Sequence, residues 1–295
     1  MIDFAFYSPI EEIRHPFFEQ KQVRVFVKRD DLIHPFISGN KWRKLKYLLH
    51  RASSEGKTHL VTFGGAFSNH LLATACAAAK FGLKSTGIVR GELVDNDVLM
   101  FCKLFGMHLI FVTREDYRDK KALFENYFGK NSQAFFINEG GASIEATAGC
   151  AELIDELENE YDHIFCASGT GTTVAGIIKG VEKHQLQTKI HSVPVLKGGE
   201  FIRDEILSYF DHSPAFELHL DYHFGGYAKT KPELIQYIRS FISQTGIVID
   251  PIYTAKLFYA IHDLIQQDYF KTSSNILAIH TGGLFGLLGM SAKFS

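Results

Sequence analysis

The sequence predicts an α/β protein with two lobes, each built on a mainly parallel, twisted sheet that is flanked by helices. Strand-like and helix-like segments alternate almost throughout the 295 residues, and such alternation requires crossover helices between parallel strands. The number of predicted strands exceeds the number that one open sheet usually contains in a chain of this length. Apolar residues make up 46% and charged residues 22% of the chain, which is typical of a globular protein rather than a disordered or fibrous one.

The first half of the chain shows the alternation most clearly. Apolar runs rich in β-branched and aromatic residues predict strands, and apolar stripes at helical spacing predict helices. Strands are predicted at 23–29, 59–63, 85–91, 108–114 and 133–139, and helices at 40–52, 69–82, 98–106, 117–129 and 145–160.

The second half continues the same pattern. Strands are predicted at 163–168, 189–196, 215–224 and 275–283, and helices at 174–184, 201–210, 231–246 and 254–267. Two uncharged runs, 58–79 and 272–292, are long enough to span a bilayer, but glycine pairs and polar residues interrupt both. We interpret each run as a buried strand, a polar loop and then a helix, so no membrane partner is expected.

Charge and cysteine content narrow the class of protein further. Lysine and arginine total 31 against 33 acidic residues, for a net charge of −2, which disfavours a large nucleic-acid surface. The first residues lack a basic segment followed by an apolar one, so no signal peptide is predicted. The four cysteines are widely spaced without a CxxC pair, which favours reduced thiols in the cytoplasm and no structural metal site.

Lys41 is the first residue with an unusual predicted position. It opens a stripe of the helix at 40–52 that should face the core, followed by apolar residues at 45, 48 and 52. One interpretation is that Lys41 lies in the first turn and extends to water. The other is a partly buried amine with a lowered pKa, able to form a Schiff base. The preceding Gly39-Asn40 pair favours a tight turn close to a ligand.

The segment FGGAFSNH, at 63–70, places polar residues after a strand and two glycines. Ser68 suits the N-cap of the next helix, and capping alone would explain it. Capping does not explain Asn69 and His70. Because ligands bind at the carboxyl ends of strands in α/β sheets, this turn is predicted to contact a ligand.

The segment SGTGTT, at 168–173, is a candidate phosphate cradle. Its glycines free backbone N–H groups to face an anion, and the following helix adds positive potential at its N-terminus. No GK[ST] follows, so it is not a P-loop, and Val174 occupies the third glycine position of a dinucleotide fingerprint. A plain tight turn is the alternative interpretation.

Other polar residues at predicted strand ends and helix starts are individually weak indicators. They are Tyr227 in HFGGYAK, Tyr253 and Thr254 in DPIYTAK, and Thr281 in HTGG. Together with the lysine and the candidate cradle, they provide the amine, the anion site and the polar groups that pyridoxal phosphate requires. The sequence therefore predicts pyridoxal 5′-phosphate as the cofactor.

Eight sequence segments, in this order along the chain, resemble those of one known family. VKRDDL, SGNKWRKLKYLL, TFGGAFSNHLLATACAAAKFGLK, INEGGAS, ASGTGTTVAG, GGYAK, DPIYTAK and HTGGLFGL run from about residue 20 to residue 290. They look like the aminocyclopropane-carboxylate deaminase and D-cysteine desulfhydrase family. That family belongs to the fold type II, tryptophan-synthase-β-like enzymes, so the resemblance implies two α/β lobes with pyridoxal phosphate in the cleft, and a homodimer.

The resemblance also implies roles for individual residues. Lys41 matches the cofactor lysine and the base that takes the Cα proton, and Asn69 matches the residue that binds the cofactor 3′-oxygen. Ser68 matches the group near the substrate carboxylate, flanked by His70. The phosphate cup matches Gly169, Thr170, Gly171, Thr172 and Thr173, and the two active-site tyrosines match Tyr227 and Tyr253.

Two positions separate the branches of that family. Deaminases that open the cyclopropane ring resemble one another in having a glutamate after the second tyrosine and an apolar residue after the histidine of the final strand. Thr254 and Thr281 stand there in this sequence, which is similar to D-cysteine desulfhydrases. A carboxylate keeps the pyridine nitrogen protonated more strongly than a threonine hydroxyl does, and elimination of a thiolate needs this less than ring opening. The sequence also departs from the family pattern, with Ser38 and Thr172 at positions usually occupied by glycine.

The resemblance therefore implies a cytoplasmic lyase that converts D-cysteine to pyruvate, hydrogen sulfide and ammonia. Deamination of aminocyclopropane-carboxylate to 2-oxobutanoate and ammonia is the alternative of the same class. Lys41 with both tyrosines disfavours a non-catalytic binding protein, and the incomplete glycine fingerprint disfavours a nicotinamide-dependent oxidoreductase.

The predicted lobes do not divide the chain into two consecutive halves. The lysine block and the phosphate loop are distant in sequence but must meet at one cofactor. We therefore predict a large lobe formed by residues 1–44 together with 151–295, and a smaller lobe, 45–150, inserted within it.

Overall fold

The computed structural model describes residues 2–294, and its strands form two separate sheets. Strands and helices are numbered in chain order. The larger sheet contains, in spatial order, β1 (Ile10–Ile13), β2 (Arg24–Lys28), β10 (Asn275–Ile279), β7 (His163–Ser168), β8 (Lys189–Pro194) and β9 (Glu217–Leu218). The smaller sheet contains β5 (His108–Val112), β4 (Lys84–Arg90), β3 (His59–Gly65) and β6 (Ala134–Ile137). Strand β1 is antiparallel to β2, and the other pairings are parallel.

Helices cover both sheets, which confirms the predicted fold class. They are α1 (Pro16–Gln20), α2 (Asn40–Ser54), α3 (Asn69–Lys80), α4 (Asp97–Leu104), α5 (Lys120–Phe128), α6 (Ile144–Asp155), α7 (Thr172–Lys183), α8 (Ile202–Leu207), α9 (Pro232–Thr245) and α10 (Thr254–Gln266). Their starts agree with the sequence: Ser68, Asn96 and Ser143 each accept a backbone N–H as the N-cap of the helix that follows.

Successive side chains of the central strand β10 pack alternately into two hydrophobic clusters, one on each face of the sheet. Ile276 and Ala278 pack with the helices α9 and α10, whereas Leu277 and Ile279 pack with α6 and α7. All four side chains are fully buried. A parallel strand that is covered on both faces is expected to be apolar without alternation, and the sequence NILAI has that pattern.

Glycines bring helices α6 and α7 into close contact. A Cβ atom at Gly176 would lie 2.3 Å from the Cβ of Cys150, and one at Gly180 would lie 2.6 Å from a carbon of Ile154. On the other side of α6, a Cβ at Gly149 would lie 1.9 Å from the Arg43 carbonyl oxygen. Helix α6 is therefore held tightly between α2 and α7.

Arg43 lies in a buried ion-pair network, although helical spacing places it on a different face of α2 from the stripe that begins at Lys41. Its guanidinium donates to both oxygens of Asp30, at 2.6 and 2.7 Å, and to both oxygens of Glu156, at 2.8 and 2.9 Å. Lys28 pairs with the same Glu156 carboxylate at 2.7 Å. The complete pairing allows arginine to be buried and joins α2 to the larger sheet.

Two predicted elements differ from the structure. The predicted strand at 215–224 is reduced to the two residues of β9, followed by a 3-10 turn at Leu220–His223. The stretch after β10 forms 3-10 turns at Leu284–Lys293 instead of the expected helix. In the described part of the chain, no helix combines the length and apolar character needed to cross a bilayer. The lobe boundaries at 44 and 150 stay a prediction.

Candidate active site

A cavity of about 1550 Å³ lies at the carboxyl ends of strands from both sheets. Its walls come from segments that directly follow strands β3, β4, β5, β6, β7, β8 and β10, which is where ligands bind in open α/β sheets. Eleven of the thirteen predicted site residues line it: Lys41, Ser68, Asn69, His70, Gly169, Thr170, Gly171, Thr173, Tyr227, Tyr253 and Thr281.

Lys41 lies in the first turn of α2, and its side chain opens onto the cavity. Protein atoms surround the amine densely, although part of the side chain stays exposed toward the cavity. Burial, together with the nearby charge of Lys44, lowers the pKa of Lys41 to about 7. A large share of the amine is therefore neutral near physiological pH, as a nucleophile or a base requires.

The turn before Lys41 contacts the turn that follows β10. Gly39 has φ of +60°, and a Cβ atom there would lie 1.9 Å from the Thr281 carbonyl oxygen. The Asn40 N–H also faces that carbonyl, at 3.4 Å. The close approach expected at the Gly39-Asn40 pair is therefore made to the backbone of Thr281, which fixes where α2 begins relative to the cavity.

The turn at Ser68–His70 combines a helix start with a buried histidine. The Ser68 hydroxyl accepts the Leu71 N–H at 3.3 Å, which confirms its capping role. His70 lies 2.8 Å from the Thr62 hydroxyl, which itself donates to the Ile137 carbonyl. Nδ1 of His70 forms no hydrogen bond of normal geometry with residues 2–294, although the Asn138 backbone lies near the ring. Burial lowers the pKa of His70, so the ring is neutral.

The loop at 169–173 leads directly into α7. Gly171 adopts a left-handed conformation with φ of +70°, and a Cβ there would lie 2.8 Å from Ile206. Thr173 accepts a hydrogen bond from the Asn40 amide at 3.0 Å, which ties the loop to the helix of Lys41. The first N–H groups of a helix have no partner within that helix, so the start of α7 is suited to an anion.

Two tyrosines form one wall of the cavity. The rings of Tyr227 and Tyr253 lie 6.0 Å apart at an angle of 75°. Tyr253 also lies over the loop, because a Cβ atom at Gly169 would be 3.3 Å from its ring and its hydroxyl. Burial and the neighbouring Tyr227 raise the pKa of Tyr253 well above its ordinary value, so its hydroxyl keeps its proton at neutral pH.

Thr172 and Thr254, the remaining two predicted site residues, are fully buried and lie outside the cavity lining. The Thr172 hydroxyl lies 3.1 Å from that of Tyr209. The Thr254 hydroxyl accepts the Asp250 N–H at 2.7 Å and donates to the Asp250 carboxylate at 2.8 Å. Cofactor contacts by these two threonines stay a prediction.

Lys44 is a cavity residue that the sequence analysis did not single out. Its buried amine has two neutral oxygen neighbours, the Gly140 carbonyl at 3.4 Å and the Thr170 hydroxyl at 3.5 Å. Burial lowers the pKa of Lys44, and an anion between this amine and the loop would stabilise its charge. Its position one turn after Lys41 on the same helix was the available sequence signal.

A family profile described as "Pyridoxal-phosphate dependent enzyme" matches residues 5–282. The chain belongs to this family. The amine of Lys41 fits the aldehyde of the cofactor. The anion site at the start of α7, with the buried Lys44 beside it, fits the cofactor phosphate. The family match confirms pyridoxal phosphate, which was predicted from the sequence, as the cofactor of this enzyme.

Relatives of this enzyme agree with the resemblance seen in the sequence. A Thermotoga maritima protein named "Putative 1-aminocyclopropane-1-carboxylate deaminase" is 32% identical, over 93% of this chain and 93% of its own length. An Arabidopsis thaliana protein named as a bifunctional D-cysteine desulfhydrase/1-aminocyclopropane-1-carboxylate deaminase is 30% identical, over 89% of this chain and 73% of its length. A crystal structure of an "ACC deaminase homologue" matches with a TM-score of 0.84 and 28% identity, covering 98% of this chain and 93% of that one.

Proposed function

We propose that this enzyme is a lyase that eliminates the β-substituent of a small amino acid, with D-cysteine as the favoured substrate. The products would be pyruvate, hydrogen sulfide and ammonia. The observation that carries this proposal is the placement of Lys41, an amine of lowered pKa, in one cavity with two tyrosines and the threonine at 281. The cavity thus offers a base, candidate acids for a leaving group and a polar wall.

We assign the cofactor phosphate to the loop at 169–173. The start of α7 and the amine of Lys44 would together balance its charge, and Asn69 would contact the ring oxygen. Pyridoxal phosphate, when bound, supplies an electron sink for negative charge that develops at the substrate α-carbon. Lys41 would hold the cofactor covalently.

Lys41 is also the base we assign to the α-proton. An amine with a pKa of about 7 can accept a proton at neutral pH without a large energetic cost. Burial and the charge of Lys44 lower this pKa, and the more weakly acting Glu139 carboxylate opposes them. The environment of Lys41 therefore favours the neutral, proton-accepting form whenever its amine is free.

The substrate carboxylate is assigned to the start of α3. The Ser68 oxygen accepts the Leu71 N–H, which leaves its own proton free to donate to a carboxylate. The twelve-residue helix that begins at Asn69 adds positive potential at this end. Ser68 and Asn69 would thus orient the substrate, while His70 stabilises the turn through its hydrogen bond with the Thr62 hydroxyl.

The leaving group is assigned to the two tyrosines. Tyr253 keeps its proton at neutral pH because burial raises its pKa, and Tyr227 lies beside it on the cavity wall. A protonated phenol can donate to a departing thiolate and so reduce its negative charge. This arrangement suits elimination of a thiolate from the β-carbon.

Thr281 supports D-cysteine over aminocyclopropane-carboxylate. Threonine at positions 254 and 281 is the feature that this sequence shares with desulfhydrases. Thr281 lines the cavity, whereas the hydroxyl of Thr254 is hydrogen-bonded to Asp250. Deamination of aminocyclopropane-carboxylate is the second candidate, because the names of both relatives described above include that activity.

The deciding experiment compares kcat/KM of the purified holoenzyme for D-cysteine, L-cysteine, 3-chloro-D-alanine and aminocyclopropane-carboxylate. We expect D-cysteine or 3-chloro-D-alanine to give the highest value. Thr281→Val removes the hydroxyl at nearly constant volume and should reduce elimination, while Thr58→Val, at an exposed threonine outside the cavity lining, serves as a control. Preference of the wild type for aminocyclopropane-carboxylate would overturn the substrate assignment.

We also propose that the enzyme is a cytoplasmic homodimer. The four cysteines are free and buried, which suits a reducing compartment, and the dimer follows from the family resemblance. Light scattering after size exclusion should give twice the mass of 33.3 kDa, and cell fractionation should recover the protein with cytoplasmic markers. A monomeric mass or a different fraction would contradict these assignments.

A further inference from the structure

Three histidines lie in a row on one face of the larger sheet, away from the cavity. His163 is on β7, His191 is on β8, and His219 follows β9. Nδ1 of His163 lies 2.8 Å from Nε2 of His191, and Nδ1 of His191 lies 3.0 Å from Nε2 of His219. Because none of the three lines the cavity, the proposed function does not use them.

Glu217 completes a cluster of three ligand-type atoms at the edge of this sheet. It pairs with His191 in the strand register, and His219 lies on the same face because side chains alternate along a strand. One ligand-type atom from each of His191, Glu217 and His219 lies within 4.8 Å of the other two. The separation between His191 Nδ1 and Glu217 Oε2 is 3.9 Å.

The groups around this cluster are placed as metal-site supports usually are. Nε2 of His191 faces Nδ1 of His163, so it can donate there while the His191 Nδ1 lone pair points at the cluster. The Tyr269 hydroxyl donates to the Glu217 carboxylate at 2.5 Å.

We propose that His191, Glu217 and His219 bind a divalent transition-metal ion, with zinc as the best fit. Bonds of about 2.0–2.1 Å place two tetrahedral zinc ligands roughly 3.3 Å apart, between the 3.0 and 3.9 Å separations found here. Two histidines and a glutamate form a known zinc ligand set with one position left open. Glu217 is 46% exposed, so an ion and a water ligand can reach the cluster.

The bound ion would fasten a weakly held edge of the sheet. Strand β9 contains only two residues, and the chain continues from His219 through the turn at Leu220–His223 to Tyr227. A metal bond between β8 and this edge would restrict the segment that leads to the cavity tyrosine. The sequence predicted no structural metal site because its cysteines lack a CxxC pair, whereas this site uses histidine and glutamate side chains.

The test is zinc binding by the holoenzyme after dialysis against a chelator, measured by isothermal titration with elemental analysis of the bound metal. We expect one zinc ion per chain. His219→Ala and Glu217→Gln should each weaken binding at least tenfold, and Tyr269→Phe should weaken it less. His212→Ala removes a surface histidine paired with Glu182 at 2.9 Å and should leave zinc binding unchanged.

Two further readouts separate a specific site from incidental zinc binding. Cobalt should give the visible absorption of a tetrahedral site in the wild type and lose it in His219→Ala. Zinc should raise the melting temperature of the wild type but not that of His219→Ala, whose metal-free melting temperature shows that it folds. Equal zinc affinity and equal cobalt spectra for the wild type and His219→Ala would overturn the proposal and leave a plain histidine hydrogen-bond chain.

Discussion

Lys41 and Lys44 lie one helical turn apart and face the same cavity, but their surroundings assign them different tasks. Lys41 lines the cavity, and its pKa falls to about 7 because of burial and the charge of Lys44. Lys44 lies against the Thr170 hydroxyl at the anion loop. One amine is therefore prepared to react, and the other to balance a negative charge.

Replacing Lys41 tests this division directly. Lys41→Ala should abolish both the yellow colour of the purified enzyme and the covalent cofactor link that borohydride fixes, because alanine has no amine. Lys44→Ala should keep both signals while cofactor affinity falls roughly 10- to 100-fold, the scale of one charge-assisted hydrogen bond. Peptide mapping of the reduced enzyme checks the assignment, and a label on any lysine other than Lys41 would contradict it.

The lowered pKa of Lys41 predicts how cofactor uptake depends on pH. The neutral amine is the reactive form, so with a pKa of about 7 about one tenth of it is reactive at pH 6 and about nine tenths at pH 8. The rate constant for association of the apoenzyme with pyridoxal phosphate should rise with pH over this range and flatten above pH 8. Stopped-flow absorbance measures it, and a rise that continues to pH 10 would indicate an unshifted lysine.

Thr254 contributes to stability through Asp250. This buried carboxylate accepts the N–H groups of Ile252, Tyr253 and Thr254 at 2.8–3.0 Å, besides the Thr254 hydroxyl. Thr254→Val keeps the side-chain volume but leaves these groups short of a hydrogen bond. We expect unfolding free energy to fall by about 1–3 kcal/mol, measured by urea denaturation.

Thr254→Ser is the matched control, because it keeps the hydroxyl and should stay close to the wild type. Thr254→Glu should be more damaging than Thr254→Val, since it places a second carboxylate against Asp250. Thr281 is therefore the better position for a test of substrate choice. Equal stability of the valine and serine variants would show that the hydroxyl is dispensable.

At the scale of elements, the start of α2 depends on its contact with the turn after β10. Gly39→Ala would force a Cβ into the Thr281 carbonyl, 1.9 Å away, at a backbone conformation with φ of +60°. The helix start must shift, so cofactor affinity and unfolding free energy should both fall, the latter by more than the ~1–3 kcal/mol that a sparsely populated backbone conformation alone costs. Urea denaturation and cofactor titration measure the two effects.

Gly56 provides a matched control on the other end of the same helix. It also has a positive φ, of +65°, but a Cβ there would meet no atom within 4 Å. Gly56→Ala should therefore cost only the backbone strain and leave cofactor affinity unchanged. If the two variants lost equal stability and kept equal affinity, the contact between Gly39 and Thr281 would be unimportant.

The elements were predictable wherever local pattern and tertiary packing agree. Helix α2 and strand β10 begin at the predicted residues, 40 and 275, because stripe spacing and apolar runs report burial directly. The site loops were predictable because glycines and polar residues follow strands. The segment at 215–224 was not, because its alternating residues resemble a long strand while only Glu217–Leu218 pair with β8.

Buried charges were the other feature that sequence patterns missed. Helical spacing gives Arg43 a polar face, but its partners Asp30 and Glu156 come from distant parts of the chain. In the sequence, Lys44 has the character of a solvated residue. In the structure it is buried beside the Thr170 loop. Pairing and burial of this kind depend on tertiary contacts, so no local rule could supply them.

At the scale of the whole molecule, the larger sheet combines strands from distant parts of the sequence. Strand β10 pairs with β2 on one side and with β7 on the other. This arrangement supports the proposed division into a lobe of residues 1–44 with 151–295 and a lobe of residues 45–150. Neither consecutive half contains all the strands of the larger sheet.

Separate production of the halves tests this. Residues 151–295 alone lack β1 and β2, which exposes the apolar edge of β10, so we expect this fragment to aggregate or remain unfolded. Coexpression with residues 1–150 supplies the missing strands and should raise the soluble yield. Circular dichroism and thermal melting check the outcome. A fragment of residues 151–295 that melts cooperatively as a monomer would contradict the proposed lobes.

The central position of β10 also has a consequence for synthesis of the protein. Its partner β2 leaves the ribosome roughly 250 residues earlier, which at about 5–20 residues per second is a wait on the order of 10–50 s. During this wait the smaller sheet, whose strands are close in sequence, can form, while β2 lacks its main neighbour. The cavity wall at Thr281 is made even later. Capture of pyridoxal phosphate is therefore expected near the end of translation or after it, so newborn chains are apoenzyme and must acquire the cofactor from the surrounding pool.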